Sequence, residues 1–184
     1  LLPQDVTALV FWTRNASMLM NHFDELQDYH YYFQYTITGY PKLVERNTLN
    51  PHRAIKNFIE LSQIIGKEKV IWRYDPILLS NHLTLNEHKR RFLKIADSLA
   101  GKTNKVVISF ADLYQKTTRN LDLIADFRYV DILSQESIMN ELVSFMVQVA
   151  DEREMVIESC AESVDLAHLG VKHGKCIDDK LLKS

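Results

Sequence analysis

Apolar residues along the 184-residue chain alternate between a period of two and a period of about 3.6, and each switch marks a change of element. Residues 8–14 read as a short buried strand. Asn15 then caps a helix with Leu19, Phe23 and Leu26 on one face. Residues 30–38 form a strand rich in Tyr and Thr, closed by Gly39-Tyr40-Pro41. Asn50-Pro51 opens a helix with Ile55, Phe58, Ile59 and Ile65 inward, and Gly66 stops it. Residues 69–77 are a strand, and Thr84-Leu85-Asn86-Glu87 is a capping box before Phe92, Ile95 and Leu99. Gly101 ends that helix, and residues 105–111 are the next strand. Residues 112–133 read as a long loop containing a short helix. Ser134 then caps a helix carrying Ile138, Leu142, Phe145 and Val149. Residues 154–162 are the last strand, followed by a glycine-punctuated segment and a short terminal helix.

That order is five βα units with connections long enough for parallel crossovers. Five units are too few for a closed eight-stranded barrel, so the expectation is an α/β fold, either an open sheet or part of a barrel. The strand faces favour the barrel. A strand covered on both sides reads as continuously apolar, yet Phe33, Tyr35 and Ile37 alternate with Tyr32, Gln34, Thr36 and Thr38. Val70, Trp72 and Tyr74 likewise alternate with Ile71, Arg73 and Asp75, and Ile157, Ser159 and Ala161 with Glu158, Cys160 and Glu162. One face is therefore apolar and packed by helices, and the other carries carboxylates, a guanidinium, an amide and a thiol. Buried charges require partners or ligands. The competing reading is an internal Arg73–Asp75 salt bridge with the Gln and Thr residues satisfying one another.

Composition narrows the function classes. Hydrophobic residues at 46% and charged residues at 25%, with only five glycines and four prolines, describe a globular chain and exclude a low-complexity one. A net charge of −2 gives no basis for a nucleic-acid partner. No apolar run reaches the roughly 18 residues of a membrane span, and no secretory signal is visible, so the expected location is cytoplasmic. Cys160 and Cys176 are too few for a disulfide scaffold and read first as two free thiols. No Gly-x-Gly-x-x-Gly, Walker loop or Gly-x-Ser-x-Gly occurs. His82 and His88 flank a helix start and are expected in solvent. His173-Gly174-Lys175-Cys176 alone is a poor metal signal.

Longer blocks carry a family resemblance. Phe11-Trp12-Thr13-Arg14-Asn15, the run 32–40, and Val70-Ile71-Trp72-Arg73-Tyr74-Asp75-Pro76-Ile77 are the most specific. With residues 109–114, Cys160-Ala161-Glu162 and residues 174–178, they resemble successive blocks of a bacterial family defined by a domain of unknown function. Its full-length members carry a C-terminal cysteine cluster resembling the iron–sulfur motif of radical S-adenosylmethionine enzymes. The resemblance spans essentially the whole chain. It implies a further strand before Leu1, and a Cys-x-Cys pair and a Cys-x-x-x-Cys-x-x-Cys motif after Ser184, none of which this sequence contains. On that basis the chain is expected to be one α/β domain, residues 1–184, of a longer protein, with the partial barrel of a radical S-adenosylmethionine core.

Two functions follow. In the first, the chain is the cofactor- and substrate-binding part of an iron–sulfur enzyme acting on a small molecule or an unidentified macromolecule. Arg73, Asp75 and Glu162 are then the candidate catalytic residues, and Gln34, Thr36, Thr38, Ser109, Asp112 and Glu158 the candidate binding residues. The resemblance implies an iron–sulfur cluster and S-adenosylmethionine as cofactors. Cys160 and Cys176, joined by the family's Cys-x-Cys pair, make four thiolates, the complement of one auxiliary cluster. In the second function, the same face binds a small molecule or a protein without turnover.

Overall fold

The computed structural model describes residues 2–160, 164–178 and 181. Six strands form one sheet: β1 (Leu9–Thr13), β2 (Tyr31–Thr36), β3 (Val70–Ile77), β5 (Lys105–Phe110), β7 (Val156–Cys160) and β8 (Lys172–Gly174). Their spatial order is β1-β2-β3-β5-β7-β8, and every pairing is parallel. The sheet thus grows in one direction along the chain, with no reversal of strand order. A separate antiparallel pair, β4 (Leu79–Ser80) with β6 (Tyr129–Val130), sits in the connections.

Four helices fill the crossovers: α1 (Pro51–Ile65), α2 (Leu85–Leu99), α3 (Gln115–Asp122) and α4 (Glu136–Asp151). Crossovers of one hand along a sheet growing in one direction put their helices on the same face. Accordingly, Phe33, Tyr35, Trp72, Tyr74, Val106, Ile108 and Ile157 form one continuous core with Phe58 and Leu61 of α1, Phe92 and Leu99 of α2, and Leu142 and Met146 of α4. The opposite face holds a much smaller apolar patch, Tyr32, Ile71 and Val107, with Val10, Cys160 and Leu181 beside it. No helix among the described residues is long and apolar enough to cross a membrane.

Local chemistry accounts for the helix ends. The Asn50 side chain accepts from the His52 N–H at 3.0 Å, with Pro51 in the first turn. Thr84 Oγ1 accepts from the Glu87 N–H, one half of a capping box, while the Glu87 carboxylate pairs with Arg90 and Arg91. Gly66 ends α1 at φ 93°, a backbone geometry unfavourable to residues with a Cβ.

Four sequence expectations are corrected. The segment after Asn15 is not an α-helix: Leu19–Leu26 is 3₁₀ in type and breaks at His22 (φ −126°, ψ 20°). Asn15 Oδ1 does accept from the Ser17 N–H at 3.0 Å, the bond Asn50 makes at the start of α1, but no α-helix follows it. Ser134 does not cap α4, which starts after Gln135 with no side-chain cap; its buried face is Met139, Leu142, Val143 and Met146, leaving Ile138 and Phe145 half-buried. The glycine-punctuated stretch near the end holds the sixth strand, β8, paired in register from Glu158↔Lys172 to Cys160↔Gly174. His88 is fully buried rather than solvated, whereas His82 is exposed.

Candidate functional site

The sheet face opposite the helix layer, which no helix covers among the described residues, carries a connected polar array. Parallel register aligns Trp12, Gln34 and Ile71 in one rung, and Thr36, Arg73, Val107 and Glu158 in the next. Arg73 donates from Nε and Nη2 to Asp75 Oδ2 at 2.7 and 2.6 Å, and from Nη1 to Gln34 Oε1 at 2.5 Å. The second Asp75 oxygen accepts from the Ser109 hydroxyl. Gln34 in turn donates from Nε2 to the Cys176 carbonyl at 2.6 Å. One chain of hydrogen bonds therefore runs from β5 across β3 and β2 to the segment following β8.

This array is what the alternation in β2 and β3 requires. A guanidinium only 9% exposed must be paired, and Asp75 two residues along the same strand supplies the carboxylate. Burial works against the Arg73 charge, but Asp75 and the nearby Cys160 sulfur outweigh it and hold its pKa above the ordinary value. The Arg73–Asp75 salt bridge is thus present, and Arg73 also reaches Cys160.

A cavity of about 570 Å³ opens over the C-terminal ends of these strands. Trp12, Thr13, Arg14, Thr36, Arg73, Asp75, Cys160 and Cys176 line it. Arg14 donates to Glu45 at 2.8 Å, and the other Glu45 oxygen accepts from Thr38 Oγ1 at 2.9 Å. Trp12, at 57% exposure, presents its ring at the rim.

Cys160 and Cys176 meet at the cavity wall, with their sulfur atoms 3.3 Å apart and both thiols free. Cys160 is half-buried at the end of β7, and Cys176 is exposed. Burial pushes the Cys160 thiol up; Arg73 beside it pulls the other way, and Cys176 adds to the rise. The turn bearing Cys176 is held by the Gln34 contact, by the Asp178 N–H donating to the Tyr32 hydroxyl at 2.8 Å, and by Lys105 on the Asp178 carboxylate at 2.5 Å.

The expected site residues divide accordingly. Gln34, Thr36, Arg73, Asp75, Ser109, Cys160 and Cys176 come together. Thr38 lies behind Glu45, and Glu158 is paired with Lys105 at 2.9 Å, neither lining the cavity. Asp112 is exposed in the loop after β5 and is also absent from the lining. Glu162 lies outside the described residues. Trp12, Arg14 and Glu45 were not singled out as site residues by sequence; Trp12 and Arg14 sit in the block ending β1, whereas no pattern marks Glu45 in its irregular loop.

The model of one protein family matches residues 1–184 throughout, a domain of unknown function designated DUF1848. The chain belongs to this family. No curated protein matches it. Among solved structures it is similar to a structure of the tandem GH20 catalytic modules of the pneumococcal exo-β-D-N-acetylglucosaminidase StrH, at 11% identity and a TM-score of 0.52. That alignment covers 83% of this chain and 53% of the other, so the chain spans about half the length of that structure. A similarity to the HpcH/HpaI aldolase from Desulfitobacterium hafniense DCB-2 has 11% identity, covers 91% and 85% of the two chains, and has a TM-score of 0.27. The first likeness concerns the fold alone, and the second is too weak to bear on it.

Proposed function

We propose that this DUF1848 chain is the small-molecule-binding portion of an enzyme, built as a segment of an α/β barrel with the substrate at the C-terminal strand ends. One observation carries this reading: two guanidiniums, a carboxylate, hydroxyls and two thiols converge on a single 570 Å³ cavity at those ends, on the face opposite the helix layer. A volume of this size lies within the range of ordinary ligand pockets, roughly 300–1,000 Å³. A sequential parallel order with helices on one side is the order a barrel segment has, and barrels keep their chemistry at this end.

For the reaction, the family resemblance supports radical S-adenosylmethionine chemistry. That cofactor, reduced by an iron–sulfur cluster, supplies a carbon radical. Its zwitterionic end calls for an acidic and a basic partner, and the lining offers Asp75, whose oxygens also hold Arg73 and Ser109, and Arg14, which also holds Glu45. Trp12 offers a flat surface for a ring.

The auxiliary cluster fits less well. Each thiolate of a cubane binds its own iron, which spreads the sulfurs apart, whereas Cys160 and Cys176 are 3.3 Å from each other. Even two sulfurs on one tetrahedral metal at bonds of about 2.3 Å stand about 3.8 Å apart. No group of three or more potential metal ligands occurs among the described residues. The pair as it stands is closer than either arrangement sets it, and it supplies at most two of the four thiolates that the family resemblance implies. A binding function without turnover remains the second reading: Arg73 is already paired with Asp75 and Gln34, which suits a fixed binding wall.

Anaerobic expression from the complete reading frame tests the proposal, with iron, sulfide and 5′-deoxyadenosine release measured. Cluster-loaded protein should cleave S-adenosylmethionine, and Trp12→Ala with Arg14→Ala should lower that cleavage at unchanged iron content. Protein that binds the molecule without cleaving it supports the binding function instead. Iron-free protein that binds nothing contradicts both.

A further inference from the structure

The thiol pair remains unused by this reading. We propose that Cys160 and Cys176 are a redox-active dithiol that undergoes thiol–disulfide exchange with low-molecular-weight disulfides, Cys176 entering first and Cys160 resolving. The inference is independent of whether the cavity turns over a substrate.

Three observations carry it. The sulfurs are 3.3 Å apart, so closing to the roughly 2.05 Å of a disulfide requires only a short approach. Both partners are held in place from outside the pair: Cys160 ends a strand, and Cys176 is anchored through its carbonyl by Gln34. Their accessibility differs, since Cys176 is exposed and Cys160 half-buried. An external disulfide therefore reaches Cys176. Burial keeps the Cys160 thiol protonated at rest, and Arg73, touching its sulfur, offsets part of that cost when the thiolate forms for the second step.

The steps balance. The Cys176 thiolate attacks one sulfur of the external disulfide, whose S–S bond breaks, and the departing thiolate takes up a proton. Cys160 then releases its proton and attacks Cys176 Sγ, expelling the second external thiol. The protein loses two electrons and two protons, and the external disulfide becomes two thiols. Because Gln34 joins the Cys176 carbonyl to Arg73, the new bond forms at one end of the array facing the cavity.

The test equilibrates the reduced protein with graded mixtures of reduced and oxidised glutathione, quenches with an alkylating agent and reads intact mass. The wild type should lose both alkylatable thiols in one two-electron transition, as monomer and without a persistent glutathione adduct. Cys160→Ser should accumulate the adduct on Cys176, whereas Cys176→Ser should react at least about tenfold more slowly. Two thiols that survive the most oxidising mixture, a disulfide between chains, or an adduct forming equally fast on Cys160 would overturn the proposal. The wild-type transition decides the matter even if a variant fails to fold.

Discussion

Arg73 is the residue on which the inner face depends. Its fork joins β3 to β2 through Gln34 and neutralises Asp75, so removing it strands a carboxylate and an amide oxygen at once. Arg73→Ala should lower stability by about 3 kcal/mol, the scale for breaking one side of a buried pair, as read from urea unfolding. Arg73→Lys keeps the charge but not the fork, and should recover only part of that loss. At this scale the sequence was informative where side chains shared a strand face. Gln34, Arg73 and Asp75 announced themselves as polar residues alternating with Phe33, Trp72 and Tyr74. Asp112 and Glu158 had the right chemistry, but alternation says nothing of which end of a sheet a residue faces or that Lys105 will claim its carboxylate. The Cys160–Cys176 encounter depends on β8, and so was out of reach of spacing.

Elements position that array through two buried residues that make three polar contacts. His88 on α2 lies within 3.0 Å of both the Leu78 carbonyl and the Tyr74 hydroxyl, and Tyr40 donates to the Pro76 carbonyl at 2.7 Å. Together they fix the end of β3 that carries Asp75. Burial holds the His88 pKa down to about 4, against 6.5 in an unfolded chain. The unfolded state therefore binds the extra proton between these values. The stabilisation is complete above about pH 6.5 and is lost as pH falls through about 4, a change of about 3 kcal/mol. His88→Gln should flatten that part of the stability–pH curve in denaturant titrations between pH 7 and 4. On α1, buried Asn57 accepts from the Ala16 N–H and the Tyr35 hydroxyl, both at 2.8 Å, and so ties the exit of β1 to the helix layer. Asn57→Ala leaves two buried donors unpaired and should cost about 2–4 kcal/mol by urea unfolding. Long elements with caps were legible: Asn50-Pro51, Gly66 and the Thr84 box all lie where the sequence indicated. β8 was not, because Lys172-His173-Gly174 has no apolar run. Neither was the buried state of His88, since its partners Tyr74 and Leu78 come from another element.

At the scale of the molecule, the division into an apolar helix-covered face and a polar opposite face, free of helices among the described residues, decides where function can reside. Alternation in β2 and β3 foretold it, and six parallel strands in sequence order realise it. The strand order also explains why the site residues come from distant parts of the sequence yet share one cavity: each strand delivers its C-terminal end to the same rim. The central claim is that this rim is a cofactor- and substrate-binding site. Hydrogen–deuterium exchange of the protein, with and without S-adenosylmethionine, tests it most directly. Protection confined to residues 12–14, 34–38, 73–77 and 174–178 is the expected result. Protection on the helix layer instead, or none at saturating cofactor, would contradict the assignment.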